Sequence, residues 1–435
     1  MTLQFTTQSV PNADVFSSEG GTNGCLEPNS LRLLASLESM AEVGGQEDGS
    51  VCRRGFTPAD RQGRELFSTW LLEAGLSVRV DPAGNLIGRM EGSVPGLPAL
   101  MTGSHLDTVP TGGRYDGALG VLAGLEVVRC LGERGLRLRH PLEVVVFADE
   151  ESTMVGCKGM AGVAPADPHD YATSNGESIE RNLASIGGDW HALPQARRED
   201  QAIAAFLELH VEQGGVLEDR GDVIGVVEGV VGQRRFTIRV EGQANHAGTT
   251  PMARRQDALV AASQVVLAVE RLAVEHPGDP VATVGRLDVW PNAANVVPGA
   301  VILTVDMRDL ESRVLDALKA GLEQELEQIR ARSGCSLVIE PQFSVAPTPA
   351  DPTLMAAIRQ AADRFGLPCS ALPSRASHDA QEIGRRWPMG MIFVPSHRGL
   401  SHSAAEFTSL DQCQAGVAVL LESLLQLDRS LNAGP

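Results

Sequence analysis

Three short, mostly apolar runs in this sequence stop on acidic or imidazole side chains. That punctuation constrains the fold more than any other feature. Residues 98–102 lead into Gly103-Ser104-His105-Leu106-Asp107, residues 142–148 into Asp149-Glu150-Glu151, and residues 204–209 into His210-Val211-Glu212-Gln213-Gly214. Runs of this length and apolarity read as buried strands. Between the first two lies 118–131, where Leu119, Leu122, Ala123, Leu125 and Val127 keep helical spacing and Gly120 and Gly124 permit close packing. Strands alternating with helices make this half an α/β domain with a largely parallel sheet. Open sheets of that kind place ligands beyond the carboxyl ends of their strands, where these polar side chains fall.

The rest of the chain divides around that half. Helical spacing covers 31–40 and 58–74, and strands are expected at 76–80 and 85–89 around Asp81-Pro82. Near Val231 the pattern changes, since 235–240 alternates as a one-sided sheet does, with Phe236, Ile238 and Val240 on one face. A helix over 253–275, strands over 281–290 and 300–308, a helix over 312–332 and a strand over 336–339 complete a β-α-β-β-α-β unit. The spacing therefore predicts an inserted ferredoxin-like domain over 232–344, interrupting a first domain that runs over 29–231 and 345–435. Its one-sided sheet leaves an edge strand and a face that a twin subunit could cover. A helix over 352–365, a strand over 389–394 and a helix over 410–427 return the chain to α/β character.

Charge and cysteine usage exclude several functions. A formal net charge of −19 lacks the basic footprint that a nucleic-acid backbone requires. No apolar run is long enough to span a bilayer, so no membrane partner is expected. Residues 1–28 are read as a loosely ordered arm without signal-peptide features. Seven dispersed cysteines with no C-x-x-C pair suggest reduced thiols in a cytoplasmic protein. Cys157, near the Glu150-Glu151 pair, is read as a packed thiol rather than a reactive one.

The polar residues at strand ends and in Gly399-Leu400-Ser401-His402-Ser403 form a constellation: His105, Asp107, Asp116, Glu150, Glu151, His210 and His402. Three histidines with two or three carboxylates match what two divalent cations share in a co-catalytic site. Asp116 suits a bridge, His105 and His210 would complete one ion, and Glu151 with His402 the other. Asp107 suits a carboxylate standing behind His105 to fix its tautomer. Of the adjacent Glu150 and Glu151, one can ligate while the other takes a proton from water. There is no H-E-x-x-H, no G-x-S-x-G and no P-loop.

Gly103-Ser-His-Leu-Asp-Thr-Val, Tyr115-Asp-Gly, Asp149-Glu-Glu, Glu208-Leu-His-Val-Glu-Gln-Gly and Asn245-His-Ala-Gly-Thr-Thr-Pro-Met together resemble the ureido-cleaving branch of the aminoacylase/carboxypeptidase metallohydrolase superfamily. That branch comprises N-carbamoyl-L-amino-acid hydrolases, allantoate amidohydrolases and β-ureidopropionases, and the similarity runs from about Leu31 to the C-terminus. The resemblance implies a dinuclear metallohydrolase domain with an inserted lid and dimerisation domain. It implies metal ligands His105, Asp116, Glu151, His210 and His402, Glu150 as general base, and two divalent ions per subunit, zinc or else manganese, cobalt or nickel. It also implies a homodimer in which His246 steadies the oxyanion in the partner's site. Asn295 and Arg308 would hold the substrate carboxylate, and Gln213 would lie beside His210.

Departures from the family are local. Glu-Glu-Gly-x-Arg-Phe is here Glu150-Glu151-Ser152-Thr153-Met154-Val155, Gly-His-Asp-Ala is Ser377-His378-Asp379-Ala380, and His-Asn-Pro-Ala-Glu is His402-Ser403-Ala404-Ala405-Glu406. None removes a ligand; the first bears on substrate identity, and His378 is read as support behind the metal ligands. The expected activity is hydrolysis of a small ureido acid to ammonia and carbon dioxide. An N-acyl-amino-acid or dipeptide hydrolase, and a non-catalytic metal or amino-acid binder, are the alternatives. Gln233-Arg234-Arg235 points weakly to allantoate.

Overall fold

The computed structural model describes residues 26–431. Most of the expected N-terminal arm, including Cys25, lies outside them. The described end of that arm is docked: Leu26 packs on the main core and Pro28 is buried.

A nine-stranded sheet organises the α/β part. At its centre Leu142–Phe147, Ala99–His105, Ile203–Val211 and Met389–Val394 run parallel to one another. The flanks are antiparallel. The hairpin Ser77–Val80 and Leu86–Met90 pairs with Leu142–Phe147 on one side. Ile224–Val230 pairs with Met389–Val394 on the other, then carries Cys369–Ser374 parallel to it and Thr348–Pro349 antiparallel. The sheet is thus mixed, with a parallel centre.

Both faces of that centre are covered, which explains runs that are apolar at consecutive positions. Leu100, Val144, Val146, Leu207 and Val394 face one core, against Ala118–Glu133, Pro352–Arg364 and Leu410–Ser430. Met101, Val145, Phe147, Phe206 and Phe393 face a second core on the other side. Glu143, the charged exception, is buried between Arg89 and Arg198 at 2.8 and 2.9 Å. Three of the parallel strands are adjacent, so the ends bearing His105, the Asp149-Glu150-Glu151 turn and His210 converge at one edge.

Four further strands form a separate antiparallel sheet in the order Ser336–Val345, Gly232–Glu241, Ala300–Asp309, Val281–Trp290. Helices Ala258–Val274 and Ser312–Ser333 cover one face through Ile238, Val240, Val301, Leu303 and Val305. Alternate residues of Ala300–Asp309 are buried, as one-sided coverage requires.

Several elements differ from expectation. The helix expected from 253 begins at Ala258, because the Asp257 carboxylate caps it by accepting from the N–H groups of Leu259 and Val260. Strands Ile224–Val230 and Cys369–Ser374 were not expected at all. Gly225, packed against Leu372 and Phe393, and Gly229 at φ 148° interrupt the first. Ser370, Pro373 and Ser374 dilute the apolar signal of the second.

Candidate metal centre

Each site side chain is delivered by a strand end or a tight turn. His105 is the last residue of its strand and is buried. Its Nδ1–H is donated to the Asp107 carbonyl at 2.9 Å, and His210 donates Nδ1–H to the Val211 carbonyl at 2.8 Å. With Nδ1 engaged, both rings turn Nε2 into the site, where the Gly117 N–H also lies 3.3 Å from His210 Nε2. Those Nε2 atoms face one carboxylate, with Asp116 Oδ1 3.8 Å from His105 Nε2 and 3.2 Å from His210 Nε2. The other oxygen, Oδ2, lies 3.1 Å from His402 Nε2, which is 3.6 Å from Glu151 Oε1. Ligand atoms of His105, Asp116 and His210 lie within 4.8 Å of one another, as do those of Asp116, Glu151 and His402.

The turn that presents Asp116 depends on Gly117, at φ 63°. A Cβ there would come within 2.5 Å of the His105 ring. Among the described residues, four of the seven non-glycine residues with positive φ are Asp149, Met154, Gln213 and His402, all on loops at this edge of the sheet. Such backbone persists where the surroundings over-determine it, and it concentrates at functional sites.

Glu150 is buried with Oε2 3.7 Å from His105 Nε2. The Asp107 carboxylate does not reach the imidazole, at 3.8 Å from Nδ1. It accepts instead from the peptide N–H groups of Glu150 and Glu151, at 3.3 and 3.1 Å. The expectation that this carboxylate fixes the His105 tautomer is therefore corrected: the Asp107 carbonyl does that, and its side chain orients the acid pair. His378 lies edge-on to His210, 4.5 Å between ring centroids, with Nε2 on the Ser374 hydroxyl at 2.8 Å. Gln213 donates to Asp116 Oδ2 at 3.0 Å, and its Oε1 is buried with no hydrogen-bond partner among the described residues.

Three residues went unnoticed in the sequence as parts of the site. Glu406 accepts from the backbone N–H groups of Tyr115 and Asp116 and from Ser401, tying the His402 loop to the Asp116 turn. The Ser401 hydroxyl oxygen also lies 3.4 Å from Asp116 Oδ2. Glu208 ties the Ile203–Val211 strand to Ser104 and to the Ala380 N–H. The signal available was position: Glu208 and Glu406 stand in the segments that resemble the family's motifs, and Ser401 stands next to His402.

Electrostatics describe a site rich in acid. Burial and the nearby Asp379, Glu151, Asp107 and Asp116 hold the Glu150 carboxyl well above its usual range. Burial and Asp116 push Glu151 up to about 8, and burial with Asp60 pushes Asp107 to about 7. Burial also opposes the charge on Asp116, but hydrogen bonds from His210 and His402 hold its carboxyl well below the ordinary value.

Arg308 lines the same cavity, of about 340 Å³, with Nε on Asp306 at 2.9 Å and one terminal nitrogen on the Arg375 carbonyl at 2.8 Å. His246 and Asn295 are elsewhere. Exposed His246 lies on a two-stranded ribbon, where it pairs with Val296, and Asn295 directly precedes the ribbon's second strand, its carbonyl accepting from the Ala247 N–H. Neither lines the cavity.

Known proteins resemble this chain over most of its length. Residues 101–426 match the model of peptidase family M20/M25/M40. The chain belongs to that family. It is 39% identical over 401 residues to the N-carbamoyl-L-amino acid amidohydrolase of Geobacillus stearothermophilus, covering 91% of this chain and 98% of the relative. It is 36% identical to the allantoate amidohydrolase of Bacillus subtilis, covering 90% of this chain and 96% of the relative. Among solved structures, a hydantoinase/carbamoylase-family amidase from Burkholderia multivorans superposes with a TM-score of 0.87 at 39% identity. That match covers 92% of this chain and 98% of the amidase. The M20 chain has no helix among its described residues that is long and apolar enough to cross a membrane.

Proposed function

We propose that this chain is a dinuclear metal-dependent amidohydrolase. It cleaves the ureido C–N bond of an N-carbamoyl amino acid or a similar ureido acid such as allantoate, releasing ammonia and carbon dioxide. The observation that carries the reading is the split Asp116 carboxylate, one oxygen facing His105 and His210 and the other His402. The family and the names of its relatives support the substrate class.

The donor set fits two divalent cations. The imidazole Nε2 atoms converge on one carboxylate, and the raised acids Glu150, Glu151 and Asp107 mark a region short of positive charge. His105, His210 and Asp116 would hold one ion, and Asp116, Glu151 and His402 the other. Imidazole and carboxylate without thiolate suit zinc, and also manganese, cobalt or nickel. Bound there, the ions supply Lewis-acid polarisation of the scissile carbonyl and lower the pKa of the attacking water.

The remaining work belongs to side chains. Glu150 takes the proton from water as it adds to the ureido carbonyl, then returns it to the terminal nitrogen as the C–N bond breaks. Ammonia leaves, and the carbamate left behind decomposes to carbon dioxide and the amine. Arg308, braced by Asp306 and Arg375, offers its guanidinium to the substrate carboxylate. His246 and Asn295 act in the partner's site across a homodimer formed by the inserted ferredoxin-like lid domain, 232–344, set between the two catalytic segments 29–231 and 345–435. Support for that pairing comes from Val260, Leu267 and Val274, which recur at exposed positions seven residues apart on Ala258–Val274. The six described cysteines are unpaired, which suits a cytoplasmic enzyme.

The test is a substrate panel with each of the four metals. Ammonia from N-carbamoyl-L-amino acids or allantoate is the expected result. Amine release confined to N-acyl-amino acids or dipeptides would assign the site to acyl hydrolysis instead.

A further inference from the structure

We infer that Met154 is the wall that selects the substrate side chain. The preferred substrate is then the N-carbamoyl derivative of an amino acid with an aliphatic or thioether side chain, not allantoate or an acidic homologue. This inference rests on the ureido-cleaving reading above and narrows it.

Thirteen residues line the cavity that holds the acid pair and the histidines, and among them Met154 and Ala376 alone carry apolar side chains. Within this cavity a substrate held by Arg308 at its carboxylate meets one apolar side chain longer than a methyl group, the Met154 thioether. An aliphatic side chain gains by leaving water against it. A second carboxylate or ureido group there would lose its water without finding a partner on the methionine.

Met154 is also fixed in place. It has φ 55° and ψ 28°, and its N–H is donated to the Asp149 carbonyl at 2.7 Å. Its own carbonyl accepts from the Lys158 N–H at 3.1 Å and from the Cys157 thiol at 3.4 Å. The side chain is half-buried and packs on the core cluster that includes Phe147, Cys157 and Ala380. The turn closed by that first hydrogen bond is the one that carries Glu150 and Glu151. The wall and the acid pair therefore move as one unit, so the distance from the reacting carbonyl to the side-chain pocket is set by the backbone.

The experiment compares kcat/KM for N-carbamoyl-L-methionine, N-carbamoyl-L-aspartate and allantoate, scored by ammonia, in the metal-loaded full chain. Wild type is expected to prefer the methionine derivative. Met154→Gln keeps the unbranched shape but makes the tip polar, and should lower the methionine-to-aspartate ratio about tenfold, mainly through KM. Met154→Leu should keep the preference. A wild-type preference for allantoate or the aspartate derivative overturns the inference whatever the variants do. So does an unchanged ratio in Met154→Gln, or a loss in Met154→Leu equal to that in Met154→Gln. Absence of ammonia from every ureido acid would instead overturn the underlying function; ammonia without side-chain preference overturns this inference alone.

Discussion

Glu406 and Asp116 are 290 residues apart, yet the Glu406 carboxylate accepts the Asp116 backbone N–H at 3.1 Å and that of Tyr115 at 2.8 Å. The loop carrying His402 is thereby fastened to the turn carrying the carboxylate that His402 faces. Glu406→Ala removes the fastening and leaves two buried N–H groups unpaired. It should weaken metal binding about 10- to 100-fold, as loss of support behind a ligand does. Glu406→Gln keeps an acceptor oxygen and should lose much less. Metal titration of chelated protein followed by calorimetry separates the two.

Glu150 is the assigned proton carrier, and it stands outside both proposed ligand groups. Glu150→Gln should retain metal at the native stoichiometry and lose about 10²–10⁴-fold in kcat, the range for a general base. Elemental analysis alongside ammonia release reads both quantities. Turnover near the native rate with metal retained would move the role to another residue.

Gly117 allows the His105 ring to approach the Asp116 turn. Gly117→Ala places a methyl group 2.5 Å from that ring at a backbone conformation alanine resists. A loss of about 1–3 kcal/mol in stability is expected from the strain, together with reduced metal occupancy. Denaturant unfolding of the chelated protein isolates the strain from the metal effect.

The site makes a signed prediction for pH. In the metal-free protein the Asp116 carboxylate raises His402 to about 9, and the same carboxylate, against the effect of burial, raises His210 to about 9. Burial and Asp116 raise Glu151 to about 8. Above pH 7 the unfolded chain has released these protons while the folded chain still holds them. Stability of chelated protein must therefore fall as pH rises from 7 towards 9. With metal bound the imidazole nitrogens carry no such protons, and the slope over that window should largely vanish. Thermal unfolding with and without chelator at pH 7, 8 and 9 measures it.

How far the sequence disclosed this site follows from what each residue depends on. His105, Glu150, Glu151 and His210 end apolar runs, and a parallel sheet brings such ends together without further information. Asp116 and His402 were found by their glycine-flanked turns. The Asp107 side chain was assigned to the wrong neighbour because its target depends on the direction of a backbone carbonyl, which residue type does not encode. Glu406 stood in a matched segment without a role, because its partners are almost 300 residues away. Ser152-Thr153-Met154 stood out as a departure, and Met154 proved to line the cavity. In the fold, Ile224–Val230 escaped notice because its glycines break the strand signal, whereas the four strands and two helices of the smaller sheet keep clean periods.

The most direct measurement is ammonia release from an N-carbamoyl-L-amino acid as chelated protein is titrated with metal. Activity should be absent at the start, rise with added ion and level off at two equivalents per subunit. Undiminished release after complete chelation, or none at any loading, would contradict the account.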